Sequence, residues 1–81
     1  MLGKHVFMKR ARVLRFGTVV GEKTENNWKF VRVLWVDDEP TQNARKWKAK
    51  LRKYDDWSDW NRIDEVIAFQ PEQLIETLKK L

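Results

Sequence analysis

Cysteine is absent from the 81 residues. That excludes disulfide staples and any thiolate zinc site. Glycine occurs three times and proline twice, too sparse and too scattered for a linker or a low-complexity segment. No apolar run approaches the roughly 20 residues needed to span a bilayer as a helix. Histidine and serine occur once each, as His5 and Ser58. A Ser-His-acid arrangement would need those two residues from opposite ends of the chain, so nucleophilic catalysis has almost no material. Gly17-Thr18-Val19-Val20-Gly21 lacks both the spacing and the lysine of a phosphate-cradling loop. The reading is a non-enzymatic protein without metal or cofactor. Met1-Leu2-Gly3-Lys4 opens no apolar stretch of signal-peptide length, and with cysteine absent the expected compartment is the cytoplasm.

What the chain does hold is large rings and positive charge. Five tryptophans, four phenylalanines and one tyrosine offer a small domain a core of few, bulky side chains, each able to bury roughly 150–250 Å². The net charge of +5 is laid down in blocks. Residues 1–20 carry five cations and no acid, and residues 41–53 carry six and no acid. Residues 21–40 and 54–81 are net acidic, at −2 and −4. Two basic blocks folded onto one side would make the positive face that nucleic acid requires. Two basic blocks paired with two acidic ones would make an ordinary salt-bridged surface.

Length and continuity indicate one domain over residues 1–81. His5 to Met8 is a short apolar patch of strand character. Gly17 to Glu22, rich in β-branched residues, reads as a strand. Glu25-Asn26-Asn27 is a turn, because Asn tolerates left-handed backbone. Trp28 to Val36 follows as the clearest strand: Trp28, Phe30, Arg32, Leu34 and Val36 share one face, Lys29, Val31, Val33 and Trp35 the other. Both faces are largely apolar, which predicts a central strand, hairpinned with Gly17 to Glu22. Asp37-Asp38-Glu39-Pro40 ends it. Asp55 to Asp59 reads as a polar turn, and Trp60 to Phe69 as a tight turn into a closing strand. Pro71 suits the first position of a last helix over about 71–80, with Leu74, Ile75, Leu78 and Leu81 as its apolar stripe.

Thr41 to Tyr54 supports two readings. As a helix capped by Thr41, it places Ala44, Trp47, Leu51 and Tyr54 on one stripe. As a strand, Trp47, Ala49 and Leu51 alternate with Lys48, Lys50 and Arg52. The residue types favour helix.

The order Phe16-Gly17-Thr18-Val19-Val20, then Val31-Arg32-Val33-Leu34-Trp35-Val36-Asp37-Asp38, then Trp60-Asn61-Arg62-Ile63-Asp64-Glu65-Val66 resembles the SH3-like small β-barrels of the KOW and Tudor type. It is also similar to short SH3-like proteins of bacteriophages. The match covers roughly residues 12–69. It implies a mainly β fold in which the glycine-bearing strand pairs with the Val-x-Val-x-Trp strand. An inserted basic helix within about 39–59 and a C-terminal helix fall outside the match. The sequence departs from the pattern at Glu39-Pro40, where glycine is usual. Proteins of this class bind RNA, DNA, peptides or partner subunits, so fold alone does not choose a ligand.

The basic insertion is the leading site. Arg45, Lys46, Lys48, Lys50, Arg52 and Lys53 surround Trp47 and Leu51. In a helix docked through Trp47 and Leu51, the cations fan outward toward phosphates. Arg10, Arg12 and Arg15 would extend that surface, and Trp57, if exposed, would stack on an unpaired base. The expected function is sequence-tolerant binding of RNA or DNA. The alternatives are a solvated basic face that neutralises nearby acids, and a small protein-binding adaptor or inhibitor, as phages encode, using an acidic or aromatic patch or the last helix. An aromatic cage from Trp28, Trp57 and Trp60, as Tudor-type barrels build, is a further reading of the tryptophans. Trp35 and Trp47 are assigned to the core. Asp37-Asp38-Glu39 and Asp55-Asp56 read as solvated turns, since adjacent strand residues point to opposite faces and do not converge on an ion.

Overall fold

The computed structural model describes residues 1–36, 44–51 and 58–80. The elements are β1 (His5–Arg10), β2 (Val13–Glu25), β3 (Trp28–Val36), α1 (Ala44–Leu51), β4 (Ser58–Arg62), β5 (Ile67–Phe69) and α2 (Leu74–Lys79). Short 3-10 turns cover Ile63–Glu65 and Pro71–Gln73. The fold is thus mainly β with helical additions.

All strand pairings are antiparallel, in the order β4-β3-β2-β1-β5. The expected hairpin is present and longer than the sequence suggests. Asn26 and Asn27 both take positive φ, 50° and 66°, as a two-residue turn between twisted strands needs. The glycine-bearing strand pairs with the Val-x-Val-x-Trp strand, with Gly17 opposite Trp35. That pairing is close: a Cβ on Gly17 would lie 2.5 Å from the Leu34 carbonyl oxygen.

Among the described residues the sheet is not closed, and β4 and β5 are its edges. It is nevertheless curled. Arg62 ends β4 and Ile67 starts β5, and the intervening 3-10 turn rises only about 2.0 Å per residue. That connection reaches roughly 12 Å, whereas a flat sheet would hold its outer strands about 19 Å apart, at about 4.8 Å per strand. A register shift between Val19 and Gly21 supplies part of the bend, as bulges do.

Curling gives the sheet two cores. One side is closed over by the β4–β5 connection, which contributes Val66, and is therefore the concave one; there Val6, Met8, Val19, Val31, Val33, Trp35 and Val66 form one cluster. On the convex side Phe7, Phe16, Leu34, Val36 and Phe69 pack with Trp47 and Leu51 of α1 and Leu74 of α2. This is why β3 is apolar on both faces. Trp35 and Trp47 are buried, as expected.

The basic insertion contains a helix over Ala44–Leu51, inside the expected span; Thr41 as its cap and Tyr54 lie outside the described residues. The last helix is shorter than expected. Pro71 opens a 3-10 turn and α2 occupies Leu74–Lys79. Leu74 is buried and Leu78 packs against the convex cluster, but Ile75 is 59% exposed. On so short a helix only the Leu74-Leu78 spacing of four reaches the sheet. Leu81 is outside the described residues.

Candidate nucleic-acid interface

Helix α1 docks through Trp47 and Leu51, four residues apart and both buried. The Trp47 ring meets His5 edge-on, with centroids 5.0 Å apart, and lies 6.1 Å from the Phe69 ring. Docking this stripe turns Arg45 and Lys46 to solvent and leaves Lys50 half-buried. Lys48 lies within α1, but its side chain is outside the description, as are Arg52, Lys53 and Trp57.

The two basic blocks do not all share one side. Phe7 and Phe16 face α1, so their strand neighbours Met8 and Arg15, which pair with each other, project to the concave side. There the Arg15 guanidinium carbon stands 4.9 Å from the Trp35 ring centroid. Arg12 is exposed in the β1–β2 turn. Arg10 ends β1, its side chain outside the description.

A second cluster of cations and rings occupies the convex face beyond the α1 footprint. Along β3, Val36 and Leu34 lie under α1, while Arg32, Phe30 and Trp28 continue on the same side. Register brings Trp60 opposite Arg32 and Arg62 opposite Phe30 from β4, and Lys23 opposite Phe30 from β2. Trp28 is 53% and Trp60 43% exposed. The Lys23 ammonium stands 4.5 Å from the Trp60 centroid and 5.7 Å from that of Phe30. The Arg62 guanidinium carbon is 4.0 Å from the Trp28 centroid. Such cation–ring contacts are worth about 0.5–1 kcal/mol at exposed positions. Gly21 lies beside the Trp60 indole, where a Cβ would meet the ring at 3.5 Å, an ordinary van der Waals contact.

Two acids border this face. Glu25 pairs with Lys23 at 3.4 Å and Asp64 with Arg62 at 2.8 Å. These are exposed pairs, of the kind that contribute about 0–1 kcal/mol, so a phosphate can compete for either cation. Arg32 donates from Nε to Ser58 Oγ at 2.8 Å and its side chain is exposed.

The sequence reading missed this cluster because it placed Trp60 in a turn, whereas the residue sits within β4. Asp59, expected to end the preceding polar turn Asp55 to Asp59, also lies in β4. Its Oδ1 accepts from Trp35 Nε1 at 2.5 Å and from Asn61 Nδ2 at 2.7 Å. The available signal was the i, i+2 spacing of Trp60 and Arg62, which repeats the ring–cation alternation of Phe30 and Arg32. Of the three tryptophans considered for a cage, Trp28 and Trp60 share this face and Trp57 lies outside the described residues.

The remaining chemistry is sparse. His5 Nδ1 and Thr18 Oγ1 share a hydrogen bond of 2.9 Å, and His5 and Ser58 are separated by β2 and β3. Among the described residues no three His, Asp or Glu side chains gather as a metal site, and no helix is long and apolar enough to cross a membrane. A cavity of about 370 Å³ beside β2 and β3 is lined in part by Met1, Glu22, Lys29 and Ile63. The N-terminal ammonium and the Leu2 amide both donate to Glu22 Oε1, and the ammonium bond holds that carboxyl below the usual glutamate range. No protein-family model, curated protein or solved structure matches the chain, and the functional reading therefore rests on this geometry.

Proposed function

We propose that the protein is a non-enzymatic, sequence-tolerant nucleic-acid-binding module, of the SH3-like class that its strand motifs resemble. The class assignment is supported by the pairing of the Gly17–Val19 strand with the Val31–Trp35 strand and by the curl of the sheet. The binding assignment is carried by one observation. Helix α1 buries Trp47 and Leu51 and turns Arg45 and Lys46 outward, on the same sheet face that carries Lys23, Arg32 and Arg62. Phosphates meet this track through Arg45, Lys46 and Lys50 together with Arg32; Arg52, Lys53 and the Lys48 side chain, expected in the same role, lie outside the described residues. Contacts of that kind give affinity without reading bases.

The test is a titration of labelled RNA and DNA oligonucleotides at about 50 and about 200 mM salt, a range over which phosphate-driven binding falls steeply. Arg45→Glu with Lys46→Glu should weaken binding tenfold or more and reduce the salt slope by about two. Absence of binding at the lower salt refutes the reading. A second reading, a protein-binding adaptor or inhibitor, is favoured by the exposure of Ile75 on α2 and by the outer edge of β4, which pairs with no strand among the described residues. It predicts no oligonucleotide binding at either salt.

A further inference from the structure

We infer that the nucleic acid bound is single-stranded, with two unpaired bases stacked on Trp60 and Trp28. This deepens the proposed function and rests on it. Rings and cations are interleaved on this face. Along β3 two rings, Trp28 and Phe30, precede Arg32, and across to β4 each ring meets a cation, Phe30 opposite Arg62 and Arg32 opposite Trp60. Each exposed indole has a cation at its ring, Lys23 at Trp60 and Arg62 at Trp28. Base stacking on an aromatic ring beside a cation that meets the flanking phosphate is the chemistry of single-strand binding.

Spacing decides between one strand and two. Trp60 pairs with Arg32, and Arg32 is four residues along β3 from Trp28. At about 3.3 Å per residue and about 4.8 Å between strands, the two tryptophan backbones stand roughly 14 Å apart. Neighbouring bases in a duplex strand are only about 3.4 Å apart, so no two adjacent stacked bases reach both rings. Paired bases also offer their faces to a protein only at a duplex end. An unstacked strand meets both constraints: its bases separate, and its phosphates pass Lys23, Arg32 and Arg62 between the rings. Charge also favours this occupant over a peptide. The cations of the face continue into Arg45 and Lys46 of α1, and the two acids nearby, Glu25 and Asp64, are each already paired with a cation of the face.

The experiment compares an unstructured oligonucleotide of about a dozen nucleotides with a hairpin-capped duplex of similar charge, at the lower salt. Binding is read by anisotropy and by quenching of tryptophan fluorescence. The single strand should bind at least tenfold more tightly. Trp60→Leu and Trp28→Leu should each weaken it roughly 5- to 100-fold and lower the residual affinity for the duplex much less. Both indoles are half-exposed, and far-UV circular dichroism checks that the variants fold. Ultraviolet cross-linking of the unaltered protein gives a second readout independent of folding, with adducts expected on the peptides containing Trp28 and Trp60. A duplex bound as tightly as the single strand, unchanged affinity in both folded variants, or adducts confined to other segments overturns the inference while leaving nucleic-acid binding intact. Failure to bind either oligonucleotide overturns both, and is the outcome a protein partner would give.

Discussion

Gly17→Ala tests the packing logic of the sheet most directly. In an ordinary strand interior, replacing glycine with alanine gains roughly 0.5–1 kcal/mol from the stiffer backbone. Here the new methyl would sit 2.5 Å from the Leu34 carbonyl oxygen and 2.6 Å from Val33 Cγ1. Even weak C–H···O contacts settle at about 3.3–3.6 Å, so β2 and β3 must separate by most of an ångström. That displacement acts where Gly17 pairs with Trp35 and Thr18 with Leu34, between the two cores. Overpacking of this kind costs typically 1–3 kcal/mol. Because the nearer contact is with backbone, which cannot yield as a side chain does, the upper half of that range applies, and the net loss is about 2 kcal/mol. A domain of this size holds about 4–12 kcal/mol in total, and each kcal/mol moves the midpoint by about 4–8 °C. The expected fall in Tm is therefore about 10 °C, read by circular dichroism, with a matching shift in urea midpoint followed by tryptophan fluorescence. Gly21→Ala is the control. Its Cβ would meet Arg32 Cβ at 3.3 Å and the Trp60 ring at 3.5 Å, contacts that small side-chain shifts accommodate, so its effect should stay within about 1 kcal/mol. A Gly17→Ala protein as stable as the unaltered one would refute the reasoning.

Asp59→Ala should destabilise the fold by about 1–3 kcal/mol, because it leaves the part-buried Trp35 Nε1 without its acceptor. Asp59→Asn keeps an acceptor oxygen and should lose clearly less, so equal losses in urea titrations would count against the bond. Leu74→Ala should remove about 2–5 kcal/mol, as buried leucines do, whereas Ile75→Ala should stay within about 0.5 kcal/mol; reversed magnitudes would mean that α2 docks on its other side. The Glu22 carboxyl, held low by the N-terminal ammonium, should titrate below the usual glutamate range in NMR. Because its folded pKa is depressed, its contribution to stability is complete at neutral pH and is lost as pH falls through that lowered value. A midpoint in the ordinary range would show the ion pair absent in solution.

Strand β3, the Asn26-Asn27 turn and the inward pair Trp47 and Leu51 were legible because each is written in local periodicity. The concave position of Arg15 was also there to be read: if Phe16 enters the convex core, its neighbour must point away. β4 was not legible. Ser58 and Asp59 read as the end of a polar turn and Trp60 to Arg62 as the start of a tight turn, and the side of the sheet that Asp59 takes makes sense only once Trp35, 24 residues earlier, presents its indole N–H. The ring–cation face escaped for a related reason. Trp28, Phe30 and Arg32 share a side with Leu34 and Val36, and the pattern cannot say where the cover provided by α1 stops.

Helix α1 is eight residues long, and helices shorter than about 12 residues are marginal by themselves in water. It therefore persists because Trp47 and Leu51 are seated on the sheet. Its amides should exchange with solvent by a local opening of lower free energy than that protecting the paired center of β2 and β3. A ligand gripping Arg45 and Lys46 would bind only the seated state, and so would slow exchange in α1 by the factor that free ligand exceeds its Kd. Hydrogen exchange across this one helix thus becomes a label-free gauge of occupancy.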